Sequence, residues 1–416
     1  MTTKPKSKTK PLGPIPAGYA AIDGELAIGG HKASNLVEAA GRTPLFVYSK
    51  DRLDTRVSEL RKALPGSIGI NYAVKANPHP QIIAHMSDLV DGFDIASSGE
   101  LAMLKKAAID PARVSFAGPG KRDDELEAAI AAGVTLNCES EGEAQRSLAI
   151  GQRTGKTPRI AIRVNPDFEL KGSGMKMGGG AKPFGVDAIR VPALAKMIIA
   201  EGAHWRGLHI FTGSQTLSAD AIIEAQANVL DLAQSLADEI GHALPKLNMG
   251  GGFGIPYFPG DEQLNLAAVG DALHELVEAR QHSLIETELC VELGRYLVGE
   301  AGVYLCQVID RKVSHEQTYL VTDGGLHHQL AASGNFGTVV RRNYPVAIAS
   351  RFDATPSAPV NVVGCLCTPL DRLADMAELP DADVGDLVAV FCAGAYGASA
   401  SPLNFLGHGP AAEMIV

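Results

Sequence analysis

Short apolar segments alternate with longer amphipathic segments over the first two thirds of the chain. We predict eight strands, at 68–74, 92–96, 114–117, 134–138, 159–164, 207–211, 246–249 and 288–292. Helical spacing of apolar residues predicts helices between them, among them 100–108, 123–132, 141–154, 191–200, 219–240 and 264–281. This order favours a closed (β/α)8 barrel of the α/β class, and an open doubly wound sheet is the alternative.

The pattern changes after residue 298. Strand-like runs at 303–310, 318–322, 360–363 and 387–392 follow one another, with one short helix predicted at 325–332. Gly, Pro and Asp turns separate them, which indicates a second, mainly β domain. The predicted layout is a disordered tail (1–12), an N-terminal segment packing on the β domain (13–46), a barrel (47–285) and a C-terminal β domain (286–416).

Composition narrows the classes of function. The 416 residues are 46% hydrophobic and 20% charged, which is typical of a folded globular protein. The formal net charge is −10 and no basic stripe follows the first ten residues, which argues against nucleic acid as a partner. No apolar run approaches the roughly 20 residues of a membrane helix, and the lysine-rich start has no apolar signal core. We therefore expect a cytoplasmic protein that does not contact membrane.

The cysteines and histidines predict no metal. The six cysteines contain no CxxC pair and no Cys/His spacing typical of zinc, which indicates a reduced intracellular protein. Cys365 and Cys367 are two residues apart and would share one face of a strand. His327 and His328 are adjacent, so they cannot form a pair on one helix face.

Lys75 is the most informative single residue. It ends the apolar run 69–74 and is followed by Ala76-Asn77-Pro78, which stops the strand. Partial desolvation there lowers the pKa of an ammonium and frees the amine to attack a carbonyl. The aldehyde of pyridoxal phosphate requires such a lysine. A solvated charge at a strand end is the alternative.

Lys75 is one of several polar and glycine residues at the carboxyl ends of the predicted barrel strands, where the active site of a barrel lies. The set is Lys75, Asp94, Arg163, His209, Gly250-Gly251-Gly252 and Glu292. The glycines suit a phosphate cradle or a tight turn. Glu292 either keeps a pyridine nitrogen protonated or pairs with Arg295. His209 and Tyr396 are cofactor ligands or core residues, and the glycine-rich segment 171–182 indicates a mobile lid.

Jointly these motifs resemble fold-type III pyridoxal-phosphate decarboxylases, the group that holds diaminopimelate, ornithine and some arginine decarboxylases. The resemblance runs from Thr43 to Val416. Its motifs are Tyr72-Ala73-Val74-Lys75-Ala76-Asn77, Gly92-Phe93-Asp94-Ile95-Ala96-Ser97-Ser98-Gly99-Glu100, Arg163-Val164-Asn165-Pro166, the His209 strand, Gly250-Gly251-Gly252-Phe253-Gly254, Glu292-Leu293-Gly294-Arg295 and Gly394-Ala395-Tyr396. It implies an alanine-racemase-like barrel, a Greek-key β-barrel, pyridoxal 5'-phosphate, and α-decarboxylation through a Schiff base and a quinonoid.

The resemblance also implies residue roles. Lys75 would carry the Schiff base, His209 would stack on the cofactor ring, and Glu292 would bind the pyridinium nitrogen. The phosphate would be held by Ser214, Gly251, Gly252, Arg295 and Tyr396. Cofactor binding is also predicted for Asp94, Arg163 and Gly250.

The segment Gly364-Cys365-Leu366-Cys367 resembles the family segment whose cysteine acts across a dimer interface. By that resemblance Cys367 reaches the partner's active site and protonates the substrate carbon after carbon dioxide leaves. A cysteine can donate this proton when its pKa lies near the working pH. The expected assembly is an obligate homodimer with shared active sites.

The substrate end departs from the better-known relatives. Their segment carries acids after the cysteine, whereas this chain reads Cys367-Thr368-Pro369-Leu370-Asp371. The uncharged Thr368 weakens the case for a diamino acid, because a buried ammonium would lose an ion pair. Asp323 or Asp371 could compensate. Predicted substrate contacts are Asp323, Arg341, Arg342, Tyr344, Thr368 and Asp371.

Several segments resemble a narrower branch that decarboxylates glutamate tethered to an acyl carrier protein, and exosortase-associated decarboxylases. They are 116–121, 175–179, 323–328, 342–345, 367–369, 401–402 and 405–408. The substrate is therefore either a free amino acid or an amino acid on a carrier protein. Diaminopimelate decarboxylase is the alternative enzyme, and an inactive cofactor-binding regulator is the alternative of another class. Glu292 disfavours a racemase.

Overall fold

The computed structural model describes residues 9–172, 174–280, 282–334 and 341–416, with only the backbone described at Lys176 and His282. The described chain forms two compact units. The barrel unit comprises Asp54–Ile255 and Gln263–Leu297. The β unit comprises the described residues up to Leu53, together with Pro256–Glu262 and Val298–Val416.

The strands in chain order are β1 Ala20–Ile22, β2 Glu25–Ile28, β3 His31–Lys32, β4 Leu45–Tyr48, β5 Ile68–Ala73, β6 Gly92–Ile95, β7 Val114–Phe116, β8 Thr135–Cys138, β9 Arg159–Asn165, β10 Met175–Lys176, β11 Val186–Asp187, β12 His204–Ile210, β13 Gly213–Ser214, β14 Lys246–Gly251, β15 Glu288–Leu293, β16 Gly302–Ser314, β17 Gln317–Thr322, β18 Val346–Ile348, β19 Ala358–Val363, β20 Arg372–Leu379, β21 Leu387–Val390 and β22 Ala412–Ile415.

The α-helices are α1 Ala33–Ala40, α2 Lys50–Ala63, α3 Pro80–Met86, α4 Ser98–Lys106, α5 Asp123–Ala132, α6 Glu141–Thr154, α7 Val191–Ala200, α8 Ala219–Ile240, α9 Leu266–Glu278 and α10 Arg295–Val298. Short 3-10 turns include Val74–Ala76, Leu330–Ser333 and Phe405–Gly407.

The barrel unit is built on a closed ring of eight parallel strands. The pairing order is β9-β12-β14-β15-β5-β6-β7-β8, and β8 pairs with β9 to complete the ring. The strands are buried along most of their length, as both faces of a barrel strand are covered. The predicted (β/α)8 barrel is therefore confirmed, with each predicted strand matched to within a few residues.

Local capping explains why the helix predictions were accurate. Ser97 and Ser140 precede α4 and α6, and each side chain accepts a hydrogen bond from a backbone N–H of the first turn. Gly155 and Gly241 end α6 and α8 in the left-handed conformation. Helices α5, α6, α7 and α8 begin and end at the predicted residues.

The β unit contains an eight-stranded mixed sheet. Its main path is β18-β21-β16-β17-β19-β20, and β4 pairs with both β16 and β22. A separate antiparallel sheet joins β1, β2 and β3. The predicted combination of a barrel and a mainly β domain is confirmed.

The boundaries of the two units differ from the predicted ones. Strand β15 pairs with β5 and β14, so the barrel continues beyond residue 285. Strand β4 pairs with β16, so the barrel starts after the predicted residue 47. These assignments depend on strand pairing, which local sequence does not show.

Two local predictions are corrected in the β unit. The helix predicted at 325–332 is a loop followed by the 3-10 turn Leu330–Ser333. A disordered tail was predicted at 1–12, and residues 1–8 of it lie outside the described residues. Within the described part, Lys10 is ordered by contacts: its side chain pairs with Asp375 and its backbone N–H donates to Met376 O. Within the described ranges, every helix is too short or too polar to cross a membrane.

Candidate active site

The barrel unit contains a cavity at the carboxyl ends of its strands. Its volume is about 300 Å³. It is lined by Lys75, Asp94, Ile95, Ala96, Ala117, Gly118, Pro119, Gly120, Lys121, Glu125, Arg163, Met177, Phe184 and Glu292. Four of the residues predicted from sequence, Lys75, Asp94, Arg163 and Glu292, therefore share one cavity.

Lys75 lies one turn beyond the end of its strand. Strand β5 ends at Ala73, and Lys75 occupies the following 3-10 turn, where the Tyr72 hydroxyl donates to Asn77 O at 2.7 Å. Its Nζ lies 3.9 Å from Glu292 Oε1 and 5.7 Å from the centre of the Phe211 ring. The side chain is 44% exposed. The amine thus opens into the cavity while the turn that carries it is buried.

His209 and Glu292 form a buried pair. His209 Nε2 lies 3.0 Å from Glu292 Oε2, and both side chains are buried. Burial alone would raise the pKa of Glu292. The hydrogen bond to His209, and the charges of Lys75, His209 and Arg163, outweigh burial and lower that pKa to about 2. Glu292 is therefore ionised at neutral pH.

Asp94 has the opposite pKa shift. Burial and the neighbouring Glu292 charge raise its pKa to about 7, against the hydrogen bond from the Ser115 hydroxyl. Its Oδ2 is buried and has no hydrogen-bond partner among the described residues. Asp94 therefore carries a proton part of the time at neutral pH.

Arg163 is fixed by an acid that sequence reasoning missed. Its Nη1 donates to Glu139 Oε1 at 2.9 Å, and both side chains are buried. The same carboxylate accepts from the backbone N–H groups of Gly118 and Gly185. Its position directly after a barrel strand was a signal that could have identified Glu139. Glu139 ties Arg163 to two loops, and both contribute to the cavity, one through Gly118 and the other through Phe184.

The glycine run at the end of β14 has a backbone suited to a phosphate cradle. Gly250 and Gly252 have positive φ angles of 67° and 84°, and Gly250 N–H donates to Asn248 Oδ1. A Cβ on Gly251 would lie 2.2 Å from Glu292 O. Side chains are therefore excluded here, which lets a ligand approach the backbone closely.

Ser214 and Arg295 also belong to the barrel unit. Ser214 lies in β13, directly after the His209 strand, and Arg295 begins α10 directly after β15. Thr216, which sequence reasoning did not select, donates its N–H to Gly252 O, and its buried hydroxyl has no partner in the described part of the chain. Its place two residues after Ser214 was the available signal.

The glycine-rich segment 171–182 includes ordered pairing. Met175 pairs with Ser214 through β10 and β13, and Met177 N–H donates to Thr212 O at 3.1 Å. Lys171 pairs with Glu224 at 2.6 Å. Ser173 and the side chain of Lys176 lie outside the described part. The segment is thus tied to the chain that follows His209, and Met177 lines the cavity.

In the β unit, the segment 364–371 holds Cys367 and Thr368. Cys367 is exposed and Thr368 is half-buried. The Thr368 hydroxyl accepts from Leu370 N–H at 3.3 Å. Tyr396 is half-buried with a positive φ of 56°. Cys367 is therefore available to a molecule outside this unit.

Two predicted substrate residues have partners within this unit. Both oxygens of buried Asp371 accept backbone N–H groups, from Leu326 at 2.7 Å and Leu366 at 2.8 Å. Asp323 accepts from Gln307 N–H and the Thr43 hydroxyl. The expectation that either carboxylate compensates for Thr368 stays a prediction.

Three further predicted substrate residues, Arg341, Arg342 and Tyr344, differ in exposure and in their contacts. Arg341 donates to Ser333 O and Arg372 O and so ties two loops together. The ring of buried Tyr344 packs against that of Tyr257, with the ring centres 4.8 Å apart. Arg342 is exposed, and its guanidinium lies 3.8 Å from the centre of the Phe258 ring.

Comparison with known proteins agrees with this geometry. A family model for the pyridoxal binding domain of pyridoxal-dependent decarboxylases matches residues 50–299. The L-glutamyl-[BtrI acyl-carrier protein] decarboxylase of Niallia circulans is 34% identical over 379 residues, 90% of this chain and 88% of that protein. The diaminopimelate decarboxylase of Aquifex aeolicus is 34% identical over 380 residues, 90% of this chain and 87% of that protein.

A solved structure shares the fold over nearly the whole chain. The diaminopimelate decarboxylase of M. jannaschii, in complex with L-lysine, has a TM-score of 0.87 at 26% identity. The match covers 96% of this chain and 93% of that one. The fold and cavity define a pyridoxal-dependent enzyme, and this chain belongs to the pyridoxal-dependent decarboxylase family. It is an amino-acid decarboxylase that uses pyridoxal phosphate.

The residues at the cavity fit that cofactor. A phosphate could take the N–H groups of the glycine run, where a Cβ would not fit. The buried atoms His209 Nδ1 and Asp94 Oδ2 have no partners in the described chain, which leaves polar groups for a ligand to meet. Lys75 supplies an amine within the same cavity.

Proposed function

We propose that this decarboxylase acts on an amino acid, glutamate, attached to an acyl carrier protein. The observation that carries the proposal is that Thr368 follows Cys367 where the better-known relatives have an acid. Among the described residues, the nearby carboxylates of Asp323 and Asp371 already accept hydrogen bonds from other groups of this unit. A tethered glutamate has no distal ammonium and therefore needs no acid at this position. The name of the Niallia circulans relative gives independent support.

The residues of the cavity would divide the chemistry as follows. Bound pyridoxal phosphate supplies an electron sink for the charge left when carbon dioxide departs. Lys75 would hold the cofactor covalently. Ionised Glu292 would face the ring nitrogen and keep it protonated, and His209 would fix the orientation of that carboxylate while lying against the ring.

Phosphate binding would come from the glycine run and its neighbours. Gly251 and Gly252 would donate backbone N–H groups, with Ser214, Arg295 and Tyr396 adding side-chain donors. Arg163 and Asp94 would border the reacting end of the cavity, where Arg163 is held by Glu139. The guanidinium of Arg163 would bind the α-carboxylate of the substrate, the group that leaves as carbon dioxide.

We further propose a homodimer in which Cys367 of one protomer serves the cavity of the other. The exposed position of Cys367 supports this role, because the side chain is open to a partner. The thiol would deliver a proton to the α-carbon after carbon dioxide leaves. A Cys367→Ala protein should retain cofactor but lose product formation.

Arg342 is a candidate for contact with a carrier protein. Arg341 donates to two carbonyl oxygens of its own unit, and Lys171 pairs with Glu224. The guanidinium of Arg342 is exposed and held over Phe258. An acidic carrier protein would gain one oriented ion pair there.

The test is carbon dioxide release by the cofactor-loaded protein. Glutamyl carrier protein is run beside free glutamate, meso-diaminopimelate, ornithine and lysine. Release from the tethered substrate alone is expected. Fast release from diaminopimelate would refute the tethered substrate and show that another group binds the distal ammonium.

Diaminopimelate decarboxylation is the second candidate, favoured by the relatives of that name at 34% identity. Lys75→Ala tests the role of the lysine amine, since turnover that survived this substitution undiminished would exclude such a role. The same substitution should remove the absorption band of the lysine-bound cofactor.

A further inference from the structure

Three loops of the β unit bring two histidines and a cysteine together. The cluster consists of His327, Cys365 and His408, and one potential ligand atom from each lies within 4.8 Å of the other two. Cys365 Sγ lies 3.9 Å from His408 Nε2. The three residues are distant in sequence, so their spacing along the chain could not indicate the cluster.

His327 is the residue that points to a ligand. Its side chain is 0% exposed, and neither ring nitrogen has a hydrogen-bond partner within the described residues. The neighbouring His328 shows the contrast, because its two nitrogens meet the Tyr304 hydroxyl at 3.0 Å and Gly409 O at 2.9 Å. Buried polar atoms are normally paired, so an unpaired imidazole requires an explanation.

The surroundings of His327 suit coordination. A buried imidazole without a hydrogen-bond partner favours the neutral form, which has a lone pair to donate. His408 is exposed, and it follows the 3-10 turn Phe405–Gly407, so the solvent side of the cluster is open.

Asp371 holds two of the three loops in place. Its carboxylate accepts the N–H of Leu326, which precedes His327, and the N–H of Leu366, which follows Cys365. A Cβ on Gly325 or Gly364 would lie within about 2.2 Å of the same carboxylate. The two ligand-bearing loops are therefore built around one buried acid.

We propose that His327, Cys365 and His408 bind a divalent metal ion of the zinc class. Two imidazoles and one thiolate are ligands that zinc prefers, and three protein ligands leave a fourth position open to solvent. Ligand atoms around a tetrahedral zinc lie roughly 3.5 Å apart, so His408 would move inward from its exposed loop.

Binding would release one proton. The Cys365 thiol donates to Asp323 O at 3.5 Å and would lose its proton to become the thiolate ligand. With two neutral imidazoles, the occupied site carries a net charge of about +1. Because Cys365 and Cys367 share one short segment, the metal would also fix the backbone that carries Cys367.

The experiment is a Co²⁺ titration of the untagged, cofactor-loaded protein after treatment with a chelator. Tetrahedral Co²⁺ gives visible bands to the red of pyridoxal absorption, and Zn²⁺ should displace it at one ion per chain. Cys365→Ser should abolish the bands, and His408→Gln should lower Zn²⁺ affinity by about 100-fold or more. Cys367→Ser and His242→Gln are controls that should bind as the parent does.

His408→Gln also guards against a folding artefact, because the side chain is exposed. Zn²⁺ should slow hydrogen exchange of residues 405–411 in the parent and leave it unchanged in His408→Gln. Absence of tetrahedral bands, or bands that persist in both Cys365→Ser and His408→Gln, would overturn the proposal. Loss of the bands in Cys367→Ser would place the thiolate elsewhere and would overturn it too.

Discussion

Asp94 and Glu292 show how position sets the chemistry of one side-chain type. Both carboxyl groups are buried in the same cavity, yet the pKa of Glu292 falls to about 2 and that of Asp94 rises to about 7. Glu292 has His209 and Lys75 beside it, whereas Asp94 has an ionised neighbour. Two carboxyl groups with opposite pKa shifts are suited to different roles in one reaction.

The raised pKa of Asp94 predicts a dependence of stability on pH. At Asp94 the folded protein keeps a proton that the unfolded chain loses between pH 4 and 7, so the contribution of this group to the free energy of unfolding should fall as pH rises through that range. In cofactor-free protein, Asp94→Asn should therefore stabilise by about 2 kcal/mol at pH 8 and by much less at pH 4. Urea unfolding at both pH values measures this, and equal effects would contradict it.

At the scale of elements, a buried ion pair fixes one wall of the cavity. Lys121 follows β7 and donates to Glu143 of α6 at 2.6 Å, with the side chains 1% and 2% exposed. Its ammonium also donates to Gly118 O and Asn137 O. The loop that lines the cavity is therefore locked to the helix and strand behind it.

Removing one charge of this pair should be severely destabilising. Lys121→Met leaves Glu143 buried without its cation, so we expect a loss of about 3–5 kcal/mol in the free energy of unfolding. The double variant Lys121→Met, Glu143→Leu should recover part of the loss, because no charge is left buried. Lys105→Met, at an exposed position of α4, is the control. A single variant as stable as this control would refute the role of the pair.

The contact of β14 with β15 predicts an effect on cofactor binding. A Cβ on Gly251 would meet Glu292 O at 2.2 Å, so Gly251→Ala must push the two strands apart and displace Glu292. We expect a loss of about 1–3 kcal/mol in stability and faster release of cofactor. Thermal unfolding and cofactor absorbance after dialysis measure these effects. Gly66→Ala, where a Cβ meets nothing, is the control.

At the scale of the molecule, the proposed residues fall in different units. Lys75, His209 and Glu292 belong to the barrel unit, and Cys367 belongs to the β unit. In a homodimer, each site would combine Lys75, His209 and Glu292 of one protomer with Cys367 of the other. Twofold symmetry would make the two sites equivalent.

Mixed dimers test this sharing directly. Lys75→Ala and Cys367→Ala proteins should each be inactive, but a hybrid dimer has one site without either substitution. Random exchange of subunits should therefore restore about a quarter of the parent's activity. Recovery that grows with mixing and subunit exchange supports shared sites, whereas an inactive mixture that demonstrably contains hybrids would place both residues in the same protomer's site.

Much of the fold and cavity could be predicted because it depends on local pattern. Strand β5 and helix α8 follow from apolar periodicity and capping residues, and Lys75, Asp94 and Glu292 from their places near strand ends. The contact of Arg163 with Glu139 could not be predicted, because it joins side chains at the ends of two strands whose pairing the local sequence does not show. The contacts of Asp371 could not be predicted for a similar reason, since its carboxylate accepts backbone N–H groups of two separate loops.

The sequence by itself determined the order of strands and helices and the residue types at the cavity, because these depend on interactions between near neighbours. Only the tertiary structure decided ring closure, the limits of the two units, the opposite pKa shifts of Asp94 and Glu292, and the meeting of His327, Cys365 and His408. Each of these depends on distances between residues far apart in sequence. Burial and electrostatic interaction act through those distances, and no local pattern encodes them.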